Sequence, residues 1–248
     1  AGQLSQMFGV RSIPFCVLFA QGQPVDGFVG AIPEAQIREF LDKHVPSEAA
    51  MEAAADADEA QALVQEGDAD AALAKLAEAV AIDPANNAAR ADYLKLLLQS
   101  GHLAEARRAY DPVAAQVLPD ARLSALGTWL TACERAAVAP PLAQLDAAIA
   151  ANRRDFAARY ERALLLMARQ DFTAAMDELL EILMRDKAWA DESARKTYVA
   201  ILELMTKPVP KAEAAQAKGA LELTGKAAVQ PADPVIDQYR RKLSMVLF

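Results

Sequence analysis

The sequence has little cysteine, little histidine and few aromatic residues. Of its 248 residues, 2 are cysteine, 2 are histidine and 6% are aromatic. Cys16 and Cys133 lie too far apart for a CxxC pair and form no disulfide framework, so we expect a reducing, cytoplasmic setting. His44 and His102 each stand alone, without a cluster of ligand-type residues, which predicts no metal site and no cofactor.

Positive charge and long apolar runs are also scarce. The net charge at pH 7 is −8, and no basic stripe offsets it, which argues against a nucleic-acid or anionic-membrane partner. No apolar run approaches the ~18 to 20 residues needed to cross a bilayer. Neither a Ser-His-Asp set nor a phosphate-binding glycine loop is visible, so we expect no catalysis by this chain.

Alanine and other strong helix formers are abundant. Hydrophobic residues make up 54% of the chain, and because so few of them are aromatic, this composition favours close-packed helices. The predicted fold is α/β plus all-α, with a small mixed unit followed by a helical repeat domain.

Residues 1–46 predict the mixed unit. The run Phe15–Ala20 is rich in strand formers, Gly22 predicts a turn and residues 25–29 predict a second strand, which together indicate an antiparallel hairpin. Pro33 then marks the start of an amphipathic helix. The next stretch, residues 47–58, is acidic and alanine-rich, which predicts a helical connector or a linker.

In the helical domain, residues 59–248, a pattern of small and large residues follows a period of about 34 residues, with the second copy one period and the third about three periods after the first. A glycine permits the tight turn between two antiparallel helices, an alanine lies where the helices approach closely, and larger residues fill the groove beside it. The spacing resembles the tetratricopeptide repeat, with a generic helical bundle as the alternative. The three copies are Gly67, Ala72, Leu76, Ala79 and Pro84; Gly101, Ala106, Tyr110, Val113 and Pro119; and Gln170, Ala175, Leu179 and Ile182.

The last part of the chain departs from this pattern. Residues 121–150 predict a helix pair without the glycine–alanine signature, and residues 206–232 predict an irregular insertion. Asp233 and Pro234 predict the N-cap and first turn of a terminal helix, residues 233–248. An apolar stripe and a basic cluster share this helix: Val235, Ile236, Tyr239, Leu243, Val246 and Leu247, with Arg240, Arg241 and Lys242.

The opening residues resemble the C-terminal half of a thioredoxin fold. The segments that carry the resemblance are FGVRSIP, FCVLFAQGQPVDGFVGA and the helix PEAQIREFLDKHV. In that family the proline matching Pro14 is cis and faces the redox centre, and the backbone of the preceding residue, here Ile13, pairs with extended client segments. The first half of such a fold would lie before Ala1, so we expect the natural chain to be longer.

Together with the repeats, this segment resembles the YbbN (CnoX) family of bacterial chaperedoxins over essentially the whole chain. QGQPVDGFVGAIPEAQIREFLDKHVP carries the N-terminal match, and LLEILMRDKAWADESARKTYVAILEL and YRRKLSMVLF carry the C-terminal one. The departure is the long segment 207–232, where the family has a tight turn. This departure puts the placement of the terminal helix in question.

The resemblance implies a cytoplasmic holdase that binds unfolded or oxidised client proteins. Such proteins pass clients to the chaperonin GroEL with GroES, or to the DnaK system. The implied client site lies near Ile13 and Pro14, and the implied GroEL-docking site lies on the terminal helix. The helix residues assigned to docking are Tyr239, Arg240, Arg241, Leu243, Val246 and Leu247.

Several residues and the whole chain keep more than one interpretation. Cys16 either links to clients or is a buried, inert thiol, and we expect burial because strands of this fold are covered on both faces. Cys133 is expected in the helical core. The stripe of the terminal helix either docks on a partner or packs as a cap on the preceding repeat. The alternatives for the chain are a thiol–disulfide oxidoreductase whose CxxC half is missing, and a repeat scaffold for one dedicated partner.

Overall fold

The computed structural model describes residues 12–20, 23–115, 120–206 and 233–247. The chain divides into two compact units. The described part of the first unit is residues 12–20 and 23–47, and that of the second is residues 48–115, 120–206 and 233–247. The predicted turn at Gly22, Pro119 of the second copy and all of the predicted insertion 206–232 except Thr206 lie outside the described residues.

The first unit holds a hairpin and one helix. Strands β1 (Phe15–Ala20) and β2 (Gln23–Val29) pair antiparallel, which confirms the predicted hairpin. Helix α1 (Glu34–His44) follows directly after Pro33, whose carbonyl oxygen accepts the first helical N–H bonds. Proline suits this place because its fixed φ is close to the helical value. It also lacks an N–H group, and an N–H at the start of a helix would have no helical acceptor.

The described residues of the second unit form helices joined by turns. An Asp or Asn side chain begins five of these helices by accepting the N–H three residues on, at 2.9–3.3 Å, which satisfies a group that the helix leaves unpaired. The helices are α2 (Glu48–Glu66), α3 (Ala69–Ile82), α4 (Asn87–Gln99), α5 (Leu103–Tyr110), α6 (Ala121–Ala136), α7 (Leu142–Ala151), α8 (Phe156–Ala168), α9 (Phe172–Leu183), α10 (Trp189–Met205) and α11 (Pro234–Leu247).

The segment predicted as a connector, residues 47–58, contributes the first half of α2. This half packs through small side chains: Ala53 of α2, Ala79 of α3 and Ala89 of α4 form one fully buried cluster. Alanine at each position lets the helix backbones approach closely, so this end of the second unit is tightly spaced although it holds few large apolar groups.

One hydrophobic core extends through the second unit from α2 to α11. Its largest fully buried side chains include Trp129 on α6 and Tyr198 on α10. Trp129 is buried and Phe172 packs against it with ring centroids 5.7 Å apart, so both aromatic residues belong to the core. Helix α7 stands apart from this core, because its one buried residue, Leu145, packs in a separate cluster with α8.

Candidate functional site

The turns that position the helices share one geometry. Gly67, Gly101 and Gln170 have φ values of +88°, +78° and +64°. In each turn the N–H of the next residue donates to a carbonyl oxygen five residues back, at 3.0, 2.8 and 2.9 Å. This pattern ends one helix and reverses the chain into the next, and it places the three predicted copies in equivalent positions.

The alanine of each copy lies where the prediction placed it. Ala72, Ala106 and Ala175 are all fully buried between paired helices. A larger side chain at these positions would push the helices apart. The turn and the alanine together fix how the first helices of successive pairs lie beside one another.

A groove of about 330 Å³ lies between α2 and α4, the first helices of two successive pairs. Its floor is apolar, because Ala60 is fully buried and Leu76 and Leu96 are nearly so. Val64 is 47% exposed and presents an apolar side chain at its rim. The polar residues that line the groove are Gln61, Gln65, Asp92, Lys95 and Gln99.

The two charged residues that line the groove, Asp92 and Lys95, differ in whether they have a partner within the chain. Asp92 on α4 accepts a hydrogen bond from the guanidinium of Arg122 on α6, which neutralises its carboxylate and joins two helices. Lys95, one turn further along α4, is half-buried and has no ion-pair or hydrogen-bond partner among the described residues. The glutamines offer amide groups that can both donate and accept. The groove can therefore hold an extended backbone over an apolar floor.

Sequence reasoning missed this groove. Its glutamines and lysine occur among many polar residues on helix faces, and nothing in their spacing distinguishes them from solvated surface. The one available signal was position: Gln61, Val64 and Gln65 belong to the helix that precedes Gly67, and Gln99 to the helix that precedes Gly101. Helices in that position form the inner face of stacked helix pairs.

In the first unit, the predicted client-binding residues lie at the start of the hairpin. The Ile13–Pro14 peptide bond is cis. Ile13 is 88% exposed, and the carbonyl oxygen of Pro14 accepts the N–H of Gly30 at 2.7 Å. This bond closes the open end of the hairpin and leaves the side chain of Ile13 free to contact another molecule.

Helix α1 covers one face of the hairpin beside β2. The Phe28 and Phe40 rings meet edge to face, 5.2 Å apart, and His44 Nε2 lies 2.6 Å from Asp26 Oδ2. The pKa of Asp26 is lowered, first because the Gly27 N–H donates to its carboxylate and second because of His44. On the opposite face Phe15, Val17, Val25 and Val29 line a shallow apolar hollow of about 370 Å³.

The expectation of a buried Cys16 is wrong, because Cys16 is exposed. It lies across the ladder from Phe28, and the ring contact and hydrogen bond between α1 and the hairpin go to Phe28 and Asp26 on β2. The expectation for Cys133 is confirmed. It is buried on α6, and burial raises the pKa of its thiol to about 11.

Helix α11 packs against α9 and α10, and most of its apolar stripe belongs to the core of the second unit. Ile236 and Tyr239 are buried, and Leu243 and Val246 are half-buried against the same core. The Tyr198 hydroxyl donates to the Tyr239 carbonyl oxygen at 2.8 Å.

The side chain of Tyr239 is also held inside the chain. Its hydroxyl donates to Asp177 Oδ2 at 3.1 Å, and Lys242 Nζ lies 3.0 Å from the other oxygen of that carboxylate. Of the six residues predicted to dock, Arg240 and Arg241 are exposed, whereas Tyr239, Leu243, Val246 and Leu247 are buried or half-buried. A partner that binds α11 in place therefore meets its outer side, where Met245 is 74% exposed.

Neither a metal-binding cluster nor a membrane-spanning helix occurs in the parts of the chain that the structure describes. No group of three or more His, Cys, Asp or Glu side chains there is arranged to hold a metal ion. None of the helices described is both long and apolar enough to cross a membrane.

Comparison with known proteins supports two parts of this picture. Residues 63–130 and residues 135–220 match family models of the tetratricopeptide repeat. A stretch of 43 residues is 42% identical to Thioredoxin 1 of Nostoc sp., covering 17% of this chain and 40% of that protein. A stretch of 38 residues is 47% identical to thioredoxin of Haemophilus influenzae, covering 15% of this chain and 36% of that protein.

The chain thus spans about two fifths of the length of the curated relatives that it matches. The prediction of repeats is confirmed by matches that begin before Gly67 and extend beyond the third copy. The helical unit of this chain carries tetratricopeptide repeats, and a small part of the chain is similar to thioredoxins.

Proposed function

We propose that the protein is a client-holding co-chaperone of the YbbN (CnoX) type, acting in the cytoplasm without catalysis of its own. It binds extended segments of unfolding proteins and passes them to GroEL or to DnaK. The groove between α2 and α4 carries this proposal, because it combines an apolar floor with amide groups suited to a peptide backbone. Tetratricopeptide repeats support it as a protein-binding architecture.

Holding follows from mass action. A protein that binds the unfolded form of a client lowers its free concentration, and aggregation slows because it depends steeply on that concentration. Recognition of backbone amides rather than particular side chains suits a holder of many clients. Val64, at the rim of the groove, adds a contact for any apolar client side chain.

The thioredoxin-like part supplies a second contact in this proposal. The similarity to thioredoxins covers 38 to 43 residues, about the length of the segment that resembles them, residues 1–46. We assign Ile13 and Pro14 to the edge where an extended client strand adds to the hairpin by backbone hydrogen bonds. The exposure of Ile13 and Cys16 leaves that edge reachable.

A pair of matched variants tests client holding. Val64→Glu places a charge on the groove, and Val199→Glu places the same charge at a similarly exposed valine of α10, outside the groove. We expect the wild-type chain and V199E to suppress heat-induced aggregation of several unrelated clients, measured by light scattering, and V64E to lose most of that effect. Equal suppression by the two variants would exclude the groove, and suppression of no client by the wild-type chain would overturn the proposal.

Docking on GroEL is assigned to the outer side of α11. Met245→Asp changes that side without touching the buried Tyr239, and Met184→Asp, at an exposed methionine after α9, is the control. With purified GroEL, calorimetry should show binding for the wild-type chain and M184D and at least tenfold weaker binding for M245D. If M245D binds as tightly as the wild type, α11 serves only as a cap of the repeats.

Two other functions make different predictions in the same assays. A scaffold for one dedicated partner would protect no more than one of the unrelated clients. A thiol–disulfide oxidoreductase would reduce insulin disulfides in the presence of dithiothreitol. We expect no such reduction from this chain, because its two cysteines do not form a CxxC pair.

A further inference from the structure

Lys95 differs from the paired cations of the helical unit. Lys75 lies within 3.2 Å of carboxylate oxygens of both Asp56 and Glu59, and Lys242 lies 3.0 Å from Asp177. No carboxylate lies within ion-pair distance of Lys95 among the described residues, although Lys95 is half-buried. An ammonium group that gives up part of its hydration without a fixed partner is available to a ligand.

The surroundings of Lys95 leave its charge uncompensated. Asp92, the other charged residue that lines the groove, is already paired with Arg122. The remaining polar lining consists of the neutral Gln61, Gln65 and Gln99. The lining of the groove is therefore locally positive in a chain whose net charge is −8. At about 0.15 M salt charges further away than ~8 Å are largely screened, so the local cation decides which ligand charge is preferred.

We propose that the groove selects extended segments that carry an acidic side chain, Glu or Asp, next to small or branched apolar residues. The carboxylate pairs with Lys95, and the apolar neighbour contacts Val64 and Leu96. This inference rests on the proposed client-binding function and names the class of segment that the groove prefers. The amides of Gln61 and Gln99 then hydrogen-bond the segment's backbone, which fixes its register.

The source of the carboxylate is a side chain and not a chain end. The groove runs between two helices, and both helices add neutral amide groups to its lining, Gln61 and Gln65 from α2 and Gln99 from α4. Those amides suit backbone that continues in both directions, as it does around an internal acidic residue. A partly desolvated charge-assisted hydrogen bond is strong enough to give about a five- to tenfold preference in affinity.

The test uses labelled twelve-residue peptides, acetylated and amidated at their ends, with one central Glu between Val and Ala. A second peptide has Gln in place of Glu, a third has Lys, and a fourth is the Gln peptide with a free C-terminal carboxylate. Binding to the full chain is measured by fluorescence anisotropy, and circular dichroism checks the fold of each variant. The variants are Lys95→Gln, Lys95→Glu and, as a control with the same loss of charge outside the groove, Lys43→Gln.

We expect the wild-type chain and K43Q to bind the Glu peptide about five- to tenfold more tightly than the Gln peptide. K95Q should bind both equally, and K95E should prefer the Lys peptide. Equal affinity of the wild type for the Glu and Gln peptides, an unchanged preference in K95Q, or an equal gain from the free C-terminus would each overturn this inference. None of these three results affects the proposed holding function, which fails only if the wild-type chain also protects no client from aggregation.

Discussion

At the scale of single residues, the turn before α9 is conformationally strained, whereas the equivalent turns at Gly67 and Gly101 are not. Gln170 has the left-handed backbone that Gly67 and Gly101 adopt in the equivalent turns. A residue with a Cβ pays about 1 kcal/mol or more for that conformation, whereas glycine does not. The added freedom of the unfolded chain offsets part of this relief, so Gln170→Gly should raise the free energy of unfolding by roughly 0.5 to 1 kcal/mol, measured by urea denaturation.

The neighbouring position provides the control for this change. Arg169 has φ of −84°, so Arg169→Gly gains nothing from relief of strain and should lower the free energy of unfolding through added freedom of the unfolded chain. The interpretation fails if both glycine variants shift stability in the same direction.

The two thiols should differ in reactivity by orders of magnitude. Cys16 is exposed, while burial raises the pKa of Cys133 to about 11, which leaves roughly 0.1% of it as the reactive thiolate at pH 8. One equivalent of a thiol reagent should react rapidly with the native chain at pH 8, and the second only in denaturant. Mass spectrometry of the labelled peptides identifies the site, and rapid modification of Cys133 in the native chain would contradict the assignment.

At the scale of helices, α5 and α6 meet through a glycine. A Cβ added at Gly127 of α6 would overlap the phenol ring of Tyr110 on α5. In an exposed helix Gly→Ala stabilises by about 1 kcal/mol, but here the overlap costs about 1–3 kcal/mol. Gly127→Ala should therefore leave the chain less stable than the wild type in urea denaturation. In a Tyr110→Ala background the same change should stabilise, and a loss in both backgrounds would exclude the ring as the cause.

The attachment of α11 depends on a buried hydroxyl. Tyr198 is fully buried and donates to the carbonyl oxygen of Tyr239, whereas the Tyr239 hydroxyl reaches the half-exposed Asp177. Tyr198→Phe should lower the free energy of unfolding by about 1 kcal/mol and speed amide exchange in α11, while Tyr239→Phe should have a smaller effect. Hydrogen exchange read by mass spectrometry separates the two, and equal protection of α11 in both variants would contradict this ranking.

Among the helices and strands, the features that follow from local sequence patterns could be predicted, and those that depend on contacts between elements could not. The hairpin and the repeats were predictable because turn residues, alternating apolar positions and the recurring glycine–alanine pair directly reflect local geometry. The prediction for Cys16 is wrong because it assumed that both faces of the sheet are covered, whereas Cys16 is exposed. That depends on contacts between elements, which spacing alone does not encode.

At the scale of the whole molecule, burial is uneven along the repeats. Helix α2 buries only Ala53 and Ala60, whereas α8 buries a run of large side chains around Leu164 and Met167. Repeat domains contact mainly their neighbours, so a weakly buried end opens without the rest. Amides of α2 and α3 should exchange at least about tenfold faster than those of α8 and α9. Uniform exchange along the chain, measured by mass spectrometry, would show that the unit opens only as a whole.

The groove lies beyond what the sequence could show. Most of its residues come from two helices about 30 positions apart, with Leu76 added by α3, and each of them taken alone is an ordinary residue of a helix. Recognising them requires the angle between α2 and α4, which the turns and the buried alanines set jointly. Only the packed structure shows that Gln61 and Gln99 line the same groove.

Helix α8 begins 69 residues after α4, at Phe156 and Asn87, and the two helices are equally long. The two helices also share a buried arginine. Arg90 and Arg159 occupy equivalent buried positions, and each donates to a backbone carbonyl oxygen six residues earlier, on Pro84 and Arg153. The turns at Gly101 and Gln170 and the alanines Ala106 and Ala175 show the same spacing of 69 residues. A relative that gained or lost one block of 69 residues would keep the left-handed turn, the buried alanine after it and the buried arginine in step, whereas an insertion of a few residues inside the block would shift them.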